Sequence, residues 1–248
     1  MSSAVVLTDL PEFLKLVAHD IRWKMLVALG QSDMRVSELV DLLGEKMNLL
    51  SYHLKKLRDA DLVYMRRSDA DGRDVYYSLN LPYLQTQFEE TSALLNLKEL
   101  PLPKANNEGA ETRVLFVCTH NAARSQLAEG IMRYKAQQKD ISIQVFSAGS
   151  QPTAVHPEAI RTLTSMGIDA SSHRATSMLE YENDAFDYVI TVCDIAREVC
   201  PDFRGGEVRL HWGFADPAKI TDSTERGEAF EDIASRLESR IEHFLNSL

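Results

Sequence analysis

Cysteine is scarce in this chain, with three residues in 248: Cys118, Cys193 and Cys200. So small and odd a number makes no disulfide framework and points to a reducing compartment in which the thiols are reactive or buried. Long apolar runs are missing too. No stretch approaches the roughly eighteen residues needed to span a bilayer, and the N-terminus lacks a signal-peptide pattern, so a cytoplasmic protein with no membrane association is expected. Nor is there a basic excess. The net charge is −10, with 13 Lys and Arg against 15 Asp and Glu up to Lys104 and 14 against 22 beyond it, so any nucleic-acid contact must come from a local patch. The length leaves room for two domains of ordinary size.

What the chain does have is the stretch Cys118-Thr119-His120-Asn121-Ala122-Ala123-Arg124-Ser125. Val114-Leu115-Phe116-Val117 before it is a β-forming apolar block, and Leu127, Ile131 and Tyr134 after it recur at helical spacing, so the stretch is a strand-to-helix turn. Such a turn is an anion cradle. Backbone N–H groups of residues 119–125 point inward, the helix start adds partial positive charge, and Arg124 supplies a planar fork for a tetrahedral oxyanion. The same field favours a thiolate at Cys118, and a thiolate there can attack phosphorus or arsenic in line. Ser125 can donate a hydrogen bond to that sulfur.

In the first half, Phe13, Leu14, Val17, Ile21, Met25 and Leu29 predict one amphipathic helix over 11–30, ended by Gly30. Ser37 is placed to cap a second helix carrying Leu39, Val40 and Leu43, with Gly44 to stop it. In a third, Leu50, Leu54 and Leu57 face inward and Asn48, Ser51, Tyr52, Lys55 and Lys56 project outward, a helix-turn-helix whose second helix reads the major groove. Two β-rich runs around Asp69-Ala70-Asp71-Gly72 then predict a hairpin, with Arg66, Arg67 and Arg73 placed to meet phosphates. Together they predict a winged helix.

Three stretches, Val36-Ser37-Glu38-Leu39, the run from Leu50 to Val63, and Val75-Tyr76-Tyr77-Ser78-Leu79, resemble the ArsR family of metalloid-responsive repressors across roughly 7–97. The resemblance implies operator DNA as a partner and a homodimer formed through this N-terminal domain, a helix over 83–97 pairing with the first helix of a second copy. Sensing members use cysteines or His/Asp pairs that this half lacks, so no metal or arsenite site is expected in it. Met47, Leu49 and Leu50 also make the start of the recognition helix more apolar than is usual in the family.

Between 99 and 112 Pro101, Pro103, Asn106, Asn107 and Gly109 break the pattern, dividing the chain into a domain over 1–100, a linker over 101–111 and a domain over 112–248. Beyond the linker, strands near 113–117, 141–147, 188–192 and 208–211 alternate with helical stretches, the last carrying Phe230, Ile233, Leu237, Ile241 and Phe244 on one face. The fold class is α/β, a mainly helical winged helix-turn-helix followed by a flavodoxin-like parallel sheet whose first strand ends at Cys118.

This half resembles the low-molecular-weight tyrosine phosphatases and, within their fold, the thioredoxin-recycled arsenate reductases. The motifs that lean to the reductases run from Arg124 to Gly130, from Phe146 to Gly149, from Thr191 through Cys193 to Cys200 and Pro201, and from His211 to Ala218. Arsenate, with phosphate or sulfate as mimics, is then the implied substrate. Its reduction needs two electrons, and one thiolate adduct cannot deliver them without a second thiol. The resemblance implies that Cys118 attacks arsenic, Asp216 protonates the departing oxygen, and Cys193 attacks Cys118 to release arsenite. Cys200 then resolves the first disulfide, and thioredoxin reduces Cys193–Cys200. A helical segment would hold those two Cα atoms about 10 Å apart, against roughly 7 Å for a disulfide, so residues 194–199 must rearrange.

Ala123 stands where such reductases often carry another cysteine, and His120 where glycine is frequent. Asn121 tolerates left-handed geometry in the loop. No tightly bound cofactor is expected, though some members bind potassium where Asn121, Glu129, Ser147 and Asp187 fall. His156 and His173 read as surface or capping residues and Trp212 as core. Two further readings stay open, a phosphatase using Cys118, Arg124 and Asp216 alone and a regulator whose second half has become a non-catalytic arsenic or redox sensor.

Overall fold

The computed structural model describes residues 9–95, 111–203 and 208–248. By contacts the chain divides into two compact units, one of Met1–Gly30, Met34–Arg66 and Tyr76–Pro101, the other of Gln31–Asp33, Arg67–Val75 and Leu102–Leu248. The linker predicted over 101–111 falls outside the described residues except for Glu111, as does the end of the helix predicted over 83–97.

The first half runs α1 (Glu12–Val17), α2 (Asp20–Gln31), β1 (Met34–Arg35), α3 (Val36–Leu43), α4 (Met47–Asp59), β2 (Val63–Arg67), β3 (Val75–Leu79) and α5 (Leu81–Leu94). Its strands form one sheet in the order β1-β3-β2, with β1 antiparallel to β3. The single helix expected over 11–30 is two helices. Arg22 breaks it: its guanidinium donates to the carbonyls of Leu16 and Lys15, ending α1, while His19 Nδ1 accepts the Ile21 amide at 3.3 Å at the start of α2. Ser37 is not a cap either. Helix α3 starts two residues earlier, with Arg35 at its cap, and the Glu38 carboxylate reaches back to the Arg35 amide at 2.8 Å, satisfying a donor that the helix cannot. Gly44 ends α3 with φ +69°, in the left-handed region that glycine enters freely. Leu39, Leu50, Leu54 and Leu57 are fully buried, which fixes the outer face of α4 by default.

The second half runs β4 (Thr112–Cys118), α6 (Arg124–Gln138), β5 (Ile143–Gly149), α7 (Pro157–Ser165), β6 (Tyr188–Thr191), α8 (Asp194–Val199), β7 (Val208–His211) and α9 (Ser223–Leu245), with short 3-10 turns at Met178–Tyr181 and Pro217–Lys219. The four strands lie parallel in the order β5-β4-β6-β7. Such a sheet is covered on its faces, and its strands read as continuous apolar runs. Val114 to Val117 are all fully buried, as are Leu127 and Ile131 of α6 and Phe230, Leu237 and Ile241 of α9. Trp212 joins this core. Strands β5 and β6 lie on opposite sides of β4, so the connections part at its carboxyl end and open a crevice where a ligand meets loops.

Candidate active site

Cys118 is the last residue of β4, and the loop after it turns into α6 at Arg124. Asn121 has φ +48°, the left-handed geometry its side chain tolerates, and this turn brings its amide to 3.1 Å from Cys118 Sγ. Ser125 Oγ lies 2.9 Å from the same sulfur. Cys118 Sγ therefore accepts the Asn121 N–H and faces the Ser125 hydroxyl.

Asn121 is held from all sides. Its Nδ2 donates to Ser125 Oγ and Ser147 Oγ, both at 2.8 Å, and its Oδ1 accepts the Thr176 amide at 2.7 Å and Gln126 Nε2 at 3.0 Å. Gln126 in turn meets His173 Nδ1 at 2.7 Å. The sequence showed neither Gln126 nor His173 as part of the loop; His173 is half-buried and lashed to the cradle, not a surface residue. His156 is a cap, its Nδ1 accepting the Glu158 amide at 3.1 Å. For Gln126 and His173 the sequence sign was a polar glutamine on a helix face that is otherwise buried.

Gly149, at the end of β5, supports the loop from behind. A Cβ there would stand 2.7 Å from the Thr119 carbonyl oxygen and 2.8 Å from the Asn121 amide, both backbone atoms that cannot swing aside. Gly149→Ala must therefore shift the amides of the cradle. Protection of Cys118 from alkylation by phosphate should weaken roughly tenfold to a hundredfold, the loss expected when charge-assisted hydrogen bonds go out of line. Protection at the wild-type phosphate concentration would show the loop to be more pliant than its packing implies.

Arg124 is buried, with its Nη1 donating to the Phe214 carbonyl at 2.8 Å and its Nη2 3.0 Å from Asp216 Oδ2. Its Nε is buried without a hydrogen-bond partner among the described residues. An orphaned guanidinium donor beside the loop is what an incoming oxyanion would satisfy. Asp216, read from the sequence as a proton donor, is in this state an ion-pair partner of Arg124, with its other oxygen on the Ala218 amide at 3.2 Å.

The other two thiols lie at the ends of α8. Cys193 caps its start, with Sγ 3.4 Å from the Ala196 amide and 3.3 Å from Thr119 Oγ1, the residue next to Cys118. Burial pushes the Cys193 thiol pKa up, while Arg124 and the Thr119 and Ala196 hydrogen bonds pull the other way. Cys200 ends the helix in extended geometry, as expected before a proline, and is half-buried. No disulfide joins any of the three cysteines.

The four residues implied for potassium do not come together. Ser147 Oγ donates to Glu129 at 2.6 Å and takes Asn121 Nδ2, but Asp187 accepts the Arg113 amide at the opposite end of the sheet. Ser147 pairs with Phe116 of β4, three steps of about 3.3 Å from Arg113, so Asp187 lies about 10 Å further along the strand direction. Asn121 also turns its nitrogen to Ser147 while its oxygen is already doubly bonded, so the set does not fit a cation as implied.

On α4, Asn48, Ser51, Tyr52, Lys55 and Lys56 are all exposed. Lys55 pairs with Asp59, and Lys56 lies 5.0 Å from the Tyr52 ring centroid. In the hairpin Arg67 donates to the Gly72 carbonyl, Arg66 lies over the Tyr76 ring, and Arg73 forms a two-point pair with Asp71, so its cations are partly engaged within the turn.

A thiol in an oxyanion loop at the carboxyl edge of a four-stranded parallel sheet, faced by a buried arginine, defines a nucleophilic thiol enzyme. Residues 113–248 match the model of the low molecular weight phosphotyrosine protein phosphatases, and the chain belongs to that family. Residues 19–65 match that of the bacterial regulatory proteins of the arsR family, so a regulator segment precedes the phosphatase-type fold. Arsenate reductases of Halalkalibacterium halodurans and Shouchella clausii are 35% and 33% identical over 133 residues, 53% of this chain and 93% of theirs. A solved structure of an arsenate reductase in the phosphate binding state aligns over 55% of this chain and 98% of that one, at 28% identity and a TM-score of 0.44. Among the described residues no helix is long and apolar enough to cross a membrane.

Proposed function

We propose that this protein reduces arsenate to arsenite through a relay of its three thiols, and that its arsR-type segment binds operator DNA. The observation that carries the first part is the second buried thiol on the cradle wall, with Cys193 Sγ 3.3 Å from Thr119 Oγ1. A phosphatase has no use for it. In the relay the Cys118 thiolate attacks arsenic and an oxygen leaves as water, its proton supplied from Asp216. The anion takes over the Arg124 fork, which frees that carboxyl to reach the departing oxygen. The Cys193 thiolate next attacks Cys118 Sγ, and the electron pair of the S–As bond stays on arsenic, giving arsenite and the disulfide Cys118–Cys193. Cys200 attacks Cys193 and releases Cys118. A dithiol reductant of the thioredoxin type then takes up Cys193–Cys200.

The DNA reading is supported by the open polar face of α4. A homodimer through the first unit is supported by Tyr83, Phe88 and Leu94 of α5, all exposed apolar or aromatic side chains. Steady-state turnover of arsenate with NADPH, thioredoxin reductase and thioredoxin tests substrate, relay and reductant together. One arsenite formed per NADPH consumed is expected. Hydrolysis of an aryl phosphate with no arsenite released would return the chain to the phosphatases.

A further inference from the structure

Two buried titratable side chains beside the relay take no part in it as described: Asp194, the first residue of α8, and His211, the last of β7. His211 Nε2 lies 2.9 Å from Asp194 Oδ1, and its Nδ1 lies 2.9 Å from the Oγ1 of Thr191, at the end of β6. Burial lowers the His211 pKa even though the bond to Asp194 opposes this. The ring thus bridges the carboxylate through Nε2 and the threonine hydroxyl through Nδ1. Asp194 Oδ2 accepts the Asp69 amide at 2.7 Å, from the 67–75 stretch that packs in the same unit. A carboxylate so enclosed holds its partners firmly, because losing them leaves a buried charge unpaired.

The far end of α8 is built differently. Glu198 and Val199 are exposed, Cys200 is half-buried, and Arg209 reaches the Cys200 carbonyl at 3.4 Å from a side chain that is itself exposed. Closing Cys193–Cys200 must shorten a helical span of about 10 Å to roughly 7 Å or less, so one end of α8 has to give.

We propose that the Asp194–His211 pair is the catch that keeps Cys193 at the cradle wall while the other end of α8 unwinds, so that Cys200 travels to Cys193. The proposal rests on the thiol relay described above. In that exchange the Cys200 thiolate, its proton lost to water, attacks Cys193 Sγ. The Cys118–Cys193 bond breaks, and its electron pair leaves on Cys118 as thiolate, with no net oxidation. Asp194 and His211 touch neither sulfur; they are positioning residues for the second thiol.

The test uses the full chain with Asp194→Ala, Asp194→Asn and His211→Phe. Disulfides are mapped by mass after a diamide pulse, which removes two electrons and two protons without arsenate. Cys118 alkylation and amide exchange across residues 194–199 are measured alongside. Asp194→Ala and His211→Phe should slow Cys118–Cys193 closure about tenfold, as small displacements of a reacting atom do, with faster exchange at the start of α8 and Cys118 alkylation unchanged. Asp194→Asn keeps an oxygen for His211 Nε2–H and should recover closure to within about threefold. Wild-type closure in Asp194→Ala, an asparagine variant as slow as the alanine one, or a parallel fall in Cys118 alkylation would each overturn the proposal. Diamide pairing is read whether or not arsenate is turned over, so a wild type that pairs Cys118 with Cys193 but releases no arsenite defeats the reductase reading alone.

Discussion

Cys193→Ser should stop arsenite release while leaving phosphate-ester hydrolysis running. Reduction of arsenate moves two electrons, and one sulfur in the cradle can form an adduct but cannot close a disulfide alone. With the second thiol gone, arsenite formation should fall by on the order of 10³ or more, since the remaining thiol, Cys200, stands at the far end of α8 from the cradle wall. Aryl phosphate hydrolysis needs only Cys118, Arg124 and Asp216, and should stay within about threefold of wild type. The substitution is mild in space. Serine can still take the hydrogen bonds that Cys193 shares with Thr119 and the Ala196 amide, so the cradle wall should stand. Parallel assays of arsenite and of p-nitrophenol from one preparation decide it. Equal loss of both activities would mean that Cys193 is structural, and loss of neither would remove the relay.

Much of this arrangement was legible because it depends on short-range pattern. The apolar block before Cys118 and the helical spacing after it fix a strand-to-helix turn, and a turn of that kind needs no distant partner to be recognised. The recognition-helix face follows in the same way once Leu50, Leu54 and Leu57 are assigned inward. What stayed hidden depends on side chains that meet across the fold. Arg22 ends α1 by reaching carbonyls six and seven residues back, so a continuous apolar stripe over 11–30 conceals the break. Strand β1 is two residues long and exists only because β3 offers it a ladder. Gln126, His173 and Asn121 are linked over more than fifty residues of sequence, and Asp194 and His211 belong to neighbouring elements of the sheet edge. Asp187 shows the opposite failure. Motif position suggested a shared ion site, but the strand that follows it begins at the end of the sheet away from Asn121.

Arg124→Lys should disable both chemistries together. The guanidinium serves three directions at once, with one nitrogen on the Phe214 carbonyl, one on Asp216, and a buried Nε without a partner among the described residues. An ammonium keeps the charge but presents a point and not a fork, so it cannot hold a tetrahedral anion in two places while steering Asp216 to the departing oxygen. kcat/KM should drop by roughly 10³ for arsenate and aryl phosphate alike, the scale on which losing a preorganised donor to a developing oxyanion is felt. Arg124→Gln carries the argument one step further. Arg124's charge is among the forces that hold the Cys193 thiol down against the burial that raises it, so removing that charge should raise Cys193 further and lower its thiolate fraction at any pH below its pKa. In a Cys118→Ser, Cys200→Ser background, alkylation of the one remaining thiol at pH 8 should therefore be slower with glutamine at 124 than with lysine, which retains the charge. Equal rates would place Cys193 outside the reach of Arg124's field and leave the arginine with the oxyanion alone.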